Sequence, residues 1–440
     1  MISKLKPVKL SIRQRAVGKI SRLCKEGLQI IDFALSEGLL ASIHTKAEIN
    51  ALRLSDWKEL KLQFEQHFNL NSNTNSESYL NILGKIHHLK DSTQRSSLSE
   101  ATFFEELEFS VKNCSTRELR SLYEYLRYFG DYRLSYFFRK KLLEKSIENG
   151  LTSGFYSSKD GINAAIELNQ IDKAFKILSK NNLSLVGNKY LSEAKAWSYL
   201  FNGDKIKAYD IWTSNFDQSD FLFLKTIKDA RIAIVGPSST DEKSGKEIDK
   251  YDFIIRTNYR LGSNEPFSKY GKLTDISYYN QNRVNHRWQE TEKNLKNLKW
   301  VMTKSQKDQN KIMNSNSFSG TARTIFLLDY IYFQSAAPQG IPVVLGDILR
   351  FQPASVKLFN STFFCSQKAY SDNYKTTSTS QNLVSDDLRI HEPFSQFSFV
   401  KNLFDKKIIE LDNTTEKVIS MDVFDYAKSL QDLYGSFELT

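Results

Sequence analysis

From Arg231 to Val235 the chain reads Arg-Ile-Ala-Ile-Val and then breaks at once into Gly236-Pro237-Ser238-Ser239. A short β-branched apolar run bounded by turn residues is the pattern of a strand buried on both faces of a parallel sheet. The turn joins a glycine, open to backbone angles and close approaches that a Cβ forbids, to a proline that fixes its own φ. Unpaired amides after such a strand, beside a helix start, can hold a phosphate; an ordinary tight turn is the other reading, and both stand. The stretch has neither the spacing of a G-x-G-x-x-G dinucleotide loop nor the lysine of a Walker A loop.

The same grammar repeats downstream. Asp252–Arg256 predicts a second strand, ending in Thr257-Asn258, and Thr274–Asn280 a third, ending in polar Asn280. Leu298–Met302 predicts a fourth. Ser317-Phe318-Ser319-Gly320-Thr321 is expected to open an apolar helix, Ala322–Leu328, and Val356–Asn360 predicts a fifth strand. Strands alternating with helices imply a largely parallel sheet covered on both faces. Polar residues at the strand ends stand where such sheets bind ligands. Residues 226–440 therefore read as a Rossmann-like α/β domain.

Residues 1–225 read differently. Apolar residues recur at three- and four-residue spacing, as in Ile30, Ile31, Phe33, Ala34 and in Leu122, Tyr123, Tyr125, Leu126, with a polar break at Asn71–Ser78. Three segments look alike: Tyr125–Asp131, Leu168–Ala174 and Leu200–Lys205. Each reads as a helix end, a short turn and an Asp capping the next helix. The last two are spaced close to the ~34 residues of a tetratricopeptide repeat, so this half is expected to be an all-α, TPR-like scaffold without chemistry of its own. His44, His67, His87 and His88 fall in it and are read as surface or packing residues.

Three widely spaced cysteines, Cys24, Cys114 and Cys365, without metal-type spacing, suggest a reducing compartment and no disulfide framework. With no apolar run of the ~18 residues that span a bilayer, a cytoplasmic location is expected. The net charge of +10 points to an anionic partner. Lys4, Lys6, Lys9, Arg13, Arg15 and Lys19, interleaved with apolar residues, form a basic end suited to the inner face of a membrane, or simply a solvated terminus. No nucleic-acid motif is present.

Taken in order, the motifs of the second half resemble the sialyltransferase superfamily, whose fold is a variant of the GT-A type. Gly236, Pro237 and Ser238 resemble its phosphate loop. Arg256-Thr257-Asn258 resembles the "R-x-N" of the bacterial lipooligosaccharide sialyltransferases and the long sialyl motif of the eukaryotic enzymes, and Tyr278-Tyr279-Asn280 the bacterial "F-Y-N". Ser319-Gly320-Thr321 resembles the Ser/Thr-Gly of the short motif. Asn360–Phe364 with Tyr370 resembles the strand and downstream tyrosines that meet the donor phosphate, and His391-Glu392 the catalytic histidine before its helix. The Gly-Pro-Ser-Ser loop lies nearer the bacterial pattern, the span from Asn280 to Ser319 is short, and Gln339–Gln352 looks like an insertion.

The resemblance implies a glycosyltransferase in capsule or lipopolysaccharide biosynthesis, moving a sialic acid or Kdo-type sugar from its CMP-activated donor to a glycan or glycolipid hydroxyl. His391 would be the base, with Glu392, Asp386 or Asp387 orienting it, because imidazole titrates near neutrality. Ser238, Ser319 with the amides of Gly320 and Thr321, and Tyr370 would offer neutral donors to the departing phosphate, with no metal required. Asp386-Asp387 is read as a helix start, since adjacent acids point to different faces. Arg256 and Arg323 would clamp the sugar carboxylate, and Asn258 and Asn280 the nucleoside, if the two asparagines are not turn residues. Two rival expectations stand beside this one. One is a retaining transferase with Asp249, Asp275 or Asp386 as nucleophile; the other is a non-catalytic helical-repeat adaptor. The helical half is expected to dock a protein partner, orient the chain on a membrane or form an oligomer.

Overall fold

The computed structural model describes residues 100–128, 130–152, 155–180, 189–260, 266–325, 340–367, 369–371, 384, 387–388 and 391–435. Two compact units divide the chain. One holds Met1–Leu142, Ser335–Ala337 and Gly435–Thr440, the other Leu143–Gln334 and Pro338–Tyr434. The basic N-terminal stretch, the four histidines read as packing residues, Cys24 and Asp386 lie outside the described residues.

The described part of the first unit is helical: α1 (Glu100–Val111), α2 (Thr116–Tyr128) and the start of α3 (Tyr132–Thr152). A capping box opens α2. The Ser115 hydroxyl accepts from the Glu118 amide at 3.2 Å, and the Glu118 carboxylate accepts from the Ser115 amide at 2.7 Å. The second unit continues with α4 (Phe155–Glu167), α5 (Ile171–Lys180), α6 (Lys189–Phe201), α7 (Lys205–Thr213) and α8 (Gln218–Ile227), where α4 packs on α5 and α6 on α7.

The three look-alike segments share one physical turn. Gly130, Asn169 and Gly203 are left-handed, with φ of 78°, 55° and 86°. Behind each, one amide reaches five residues back and another three: Asp131 to Leu126 and Gly130 to Arg127, Gln170 to Ala165 and Asn169 to Ile166, Asp204 to Tyr199 and Gly203 to Leu200. This double bond satisfies the last carbonyls of each helix. Asp204 then caps α7, accepting from the Lys207 amide at 3.1 Å. Asp172 does not cap. It sits inside the first turn of α5, which begins at Ile171.

Downstream lies a seven-stranded sheet in which every neighbouring pair is parallel. Its strands are β1 (Arg231–Val235), β2 (Phe253–Thr257), β3 (Ile276–Tyr278), β4 (Trp300–Thr303), β5 (Thr321–Thr324), β6 (Ser355–Phe359) and β7 (Glu410–Leu411), in the order β5-β4-β3-β2-β1-β6-β7. The crossovers carry α9 (Gly245–Ile248), α10 (Phe267–Tyr270), α11 (Gln281–His286), α12 (Trp288–Lys293), α13 (Gln306–Met313), α14 (Gly340–Ile348) and α15 (Pro393–Asp405); α16 (Asn413–Ile419) and α17 (Val423–Tyr434) follow β7. The helix expected over Ala322–Leu328 is corrected over its first residues, where Thr321–Thr324 is strand β5. The free edge of β4 offers it a full ladder from Trp300 to Thr303, and that pairing outweighs local helical spacing. Part of the stretch read as an insertion is α14, whose residues Ile341–Ile348 are all buried.

The boundary expected at residue 225 falls inside the second unit, where the last helices and the sheet share buried charge. Arg323, wholly buried, reaches Asp220 of α8 at 2.6 Å and pairs with Asp347 of α14; Tyr278 donates to the same Asp347 oxygen at 2.7 Å. The Phe223 and Phe351 rings lie 4.7 and 4.8 Å from its guanidinium carbon. Arg350 meets Glu193 of α6 at 3.0 Å, and Glu193 also accepts from the Trp212 indole of α7 at 2.8 Å. Burial works against the charge on Arg323, but Asp347 beside it keeps the guanidinium protonated. Burial, then Asp347, pushes the Tyr278 phenol well above its usual range and keeps it a donor.

Candidate functional site

The strand order reverses once. From β1 the chain steps outward through β2, β3, β4 and β5, then returns to lay β6 on the other side of β1 and β7 beyond it. The loops leaving β1 and β6 therefore part in opposite directions and open a crevice at their carboxyl ends, the place where open α/β sheets bind ligands.

Two loops interlock there. The Gly236 amide donates to Phe359 O at 2.8 Å and the Ser238 amide to Asn360 O at 3.1 Å. The Ser238 hydroxyl accepts from the Thr362 amide at 3.0 Å and lies 3.1 Å from the donating Thr362 hydroxyl. With both of those hydrogens pointing at it, Ser238 has its own hydrogen left to donate elsewhere. The Ser371 amide donates to Pro237 O at 2.8 Å, and the Tyr270 phenol to Ser238 O at 2.9 Å. Lys269 stands beside this loop, its ammonium 2.6 Å from Thr240 O and 3.0 Å from Asp241.

Gly236 is required by contact, not by φ. A Cβ there would lie 2.4 Å from Asn360 O and 3.1 Å from Phe359 O, both backbone atoms that cannot swing aside. Gly236→Ala is therefore expected to cost about 1–3 kcal/mol by overpacking, read by urea denaturation. An unchanged midpoint would mean that the two loops separate freely.

On the β6 side the backbone is strained. Asn360, Phe363 and Phe364 are left-handed, with φ of 53°, 46° and 69°. For bulky side chains such angles cost about 1–3 kcal/mol each and persist only when the surroundings impose them. Asn360 is wholly buried. Its amide donates to Asp412 at 2.8 Å and its Nδ2 to Lys269 O at 3.3 Å, while its Oδ1 has no hydrogen-bond partner among the described residues. Asp412 holds the first turn of α16 as well, accepting from the Thr415 amide at 2.9 Å.

Of the residues singled out in the sequence, Gly236, Pro237, Ser238 and Asn360 meet in this crevice. Asn258 and Asn280 share its edge of the sheet, at the ends of β2 and β3. Both are structural in part: Asn258 is left-handed and its Oδ1 accepts from the Asn280 amide at 3.0 Å, while Asn280 caps α11 through the Arg283 amide at 2.9 Å. Tyr370 donates to the Asp387 carboxylate at 2.9 Å, and the His391 amide donates to Asp387 O at 2.7 Å. Asp387 and the backbone of Ser371 thus tie Tyr370 and His391 to the Pro237 loop.

Other assignments change. Ser319, Gly320 and Thr321 precede or begin β5, paired with the start of β4, so they lie at the amino edge of the sheet, opposite the crevice. A Cβ on Gly320 would meet Lys299 O at 2.5 Å, so this glycine serves the strand approach rather than a phosphate. Arg323 is spent in the buried network and cannot reach a sugar carboxylate. The Arg256 guanidinium donates to the Thr274 hydroxyl at 2.9 Å and to the Tyr270 carbonyl, as a brace between chain segments. Asp249 accepts from the Lys272 and Leu273 amides at 2.9 and 3.1 Å, and Asp275 from the Ile254 amide at 2.9 Å, so neither is poised as a nucleophile.

Glu392, expected to orient His391, is a helix cap whose carboxylate is committed to α15. Its carboxylate, 1% exposed, accepts from the Phe394 and Ser395 amides at 2.9 and 2.7 Å and from the Ser395 hydroxyl. Glu392→Ala is expected to cost about 1–2 kcal/mol, as cap removal does, read by urea denaturation; an unchanged midpoint would mean that the cap contributes nothing to the helix.

Thr362 lies within the Asn360–Phe364 run and Asp387 beside His391, both expected near the site, whereas Asp412 and Lys269 carry no motif that marks them for it. Asp412-Asn413-Thr414-Thr415-Glu416 carries a readable helix-start signal. For Lys269 nothing local announces a role. Among the described residues no helix is long and apolar enough to cross a membrane. No protein-family model and no curated protein sequence matches the chain.

Proposed function

We propose that the chain is a sialyltransferase-like glycosyltransferase that takes a CMP-activated sialic acid or Kdo-type sugar in the crevice between β1 and β6. The observation that carries this reading is the interlock of the Gly236–Ser238 loop with Asn360–Thr362 at the reversal point of the sheet. Neutral hydrogen-bond donors gathered there suit a departing phosphate, which develops charge as its bond to the sugar breaks. In the transfer, an acceptor hydroxyl oxygen bonds to the anomeric carbon as the carbon–oxygen bond to CMP breaks. CMP leaves with the electron pair, and the hydroxyl proton passes to His391. The engagement of Asp249 and Asp275 in backbone bonds favours this inverting course over one through either as a nucleophile. The acceptor is a glycan or glycolipid of a surface polysaccharide, with the TPR-like helices as a docking scaffold at the cytoplasmic membrane face.

A thermal-shift screen with CMP, UMP, GDP and UDP tests the reading. A ligand that binds only the folded state raises the melting temperature by linkage, by about 2.7 kcal/mol of stability at a hundred times its Kd. A response to CMP alone is expected. No response to any nucleotide would leave the adaptor reading in its place.

A further inference from the structure

The strained loop after β6 is gripped from an unexpected quarter. The C-terminal helix α17 sends two tyrosine hydroxyls into it: Tyr426 donates to Phe363 O at 2.9 Å, and Tyr434 reaches Ser366 O at 2.7 Å and Phe364 O at 3.0 Å. Tyr426 and Tyr434 stand eight residues apart and so share a helix face. Both are buried, and the Tyr426 ring stacks on Phe397 of α15 at 4.1 Å with an interplanar angle of 10°. The Phe363 ring meets Phe397 edge-on at 6.4 Å, and the Phe364 ring meets Tyr370 at 6.0 Å.

We propose that Tyr426 and Tyr434 are positioning residues, which clamp Phe363 and Phe364 in the left-handed conformation and thereby present Thr362 to Ser238 and Tyr370 to Asp387. The carbonyls they hold belong to the left-handed Phe363 and Phe364, or to the turn just after them. Without these bonds the peptides are free to rotate toward ordinary angles. That rotation would draw the Thr362 amide off Ser238, 3.0 Å away, and shift the Phe364 ring against Tyr370. Neither tyrosine touches the ligand in this scheme; each acts through the loop. For nucleotide affinity the proposal rests on the transferase reading above.

The test uses the full chain with Tyr426→Phe and Tyr434→Phe, which keep the rings and remove only the hydroxyls. Two readouts are taken at a temperature where each variant is fully folded by circular dichroism. The first needs no ligand. Cys365 lies inside the clamped loop, its amide donating to Thr362 O at 2.7 Å, and burial pushes its thiol up to about 12. Iodoacetamide labelling of Cys365, located by peptide mass spectrometry, is expected to be slow in the wild type and about tenfold faster in either variant, the effect of one lost neutral hydrogen bond. The second is titration calorimetry with CMP, where a roughly tenfold weaker Kd is expected. Equal labelling rates in wild type and variants overturn the clamp. Faster labelling with unchanged CMP affinity shows a loop that is held but not used for binding, and overturns the positioning role. Wild-type protein that binds no CMP overturns the transferase reading instead, and the labelling rates still decide the clamp.

Discussion

Arg323→Ala is expected to destabilise the second unit by about 3–5 kcal/mol, the range for breaking a buried ion pair by removing one partner. The substitution leaves the Asp347 carboxylate, 1% exposed, with the Tyr278 hydroxyl and a distant Arg350, whose nearest contact to it is 3.9 Å. It also empties the slot between Phe223 and Phe351, adding a cavity to an uncompensated charge. Urea denaturation followed by circular dichroism reads the loss. An Arg323→Met, Asp347→Leu double variant should recover much of it, because apolar residues of similar volume replace a buried pair at little cost. A single-variant loss below about 1 kcal/mol would mean that the pair is solvated in solution, as exposed pairs are. The same charges argue that residues 226–440 expressed alone will not fold soundly. Excision removes Asp220 and Glu193, and leaves Arg323 and Arg350 in a core short of negative charge.

The largest effect on activity is expected from His391→Ala. General-base catalysis by a placed imidazole is worth about 10²–10⁴-fold, so turnover with a CMP-activated donor should fall by that factor while CMP binding stays nearly intact. His391 stands immediately before the Glu392 cap of α15, and its amide is anchored on Asp387 O, so the backbone that carries it is fixed independently of its side chain. Initial rates with saturating donor, beside calorimetric CMP affinity, separate chemistry from binding. Unchanged turnover would remove the proposed base; lost CMP affinity with normal turnover at saturation would make His391 a binding residue instead.

Much of the α/β half was legible because its signals are local. The run Arg231–Val235 names its own strand, and the polar ends at Asn258, Asn280 and Asn360 mark the edge where strands stop. The repeated helix ends at Gly130, Asn169 and Gly203 were legible for the same reason, since a left-handed terminus favours glycine or asparagine; Lys407, left-handed at the end of α15 with the same pair of bonds, carries no such signal. Thr321–Thr324 went the other way. Its residues are neutral between helix and strand, and only the open ladder of β4 decided it.

Residue type alone pointed to a covered parallel sheet preceded by helices, as the described residues from Glu100 onward show, because alternating apolar runs and turn residues have few other ways to bury their surface. Which charges face a ligand depended on the tertiary structure. Arg323, Glu392 and Asp275 have the chemistry of site residues, yet each is consumed by a partner far along the chain or by a helix end: Asp220 and Asp347, the amides of α15, and the Ile254 amide. Polar groups shut away from water must find such partners, and the fold alone determines whether any remain for a substrate.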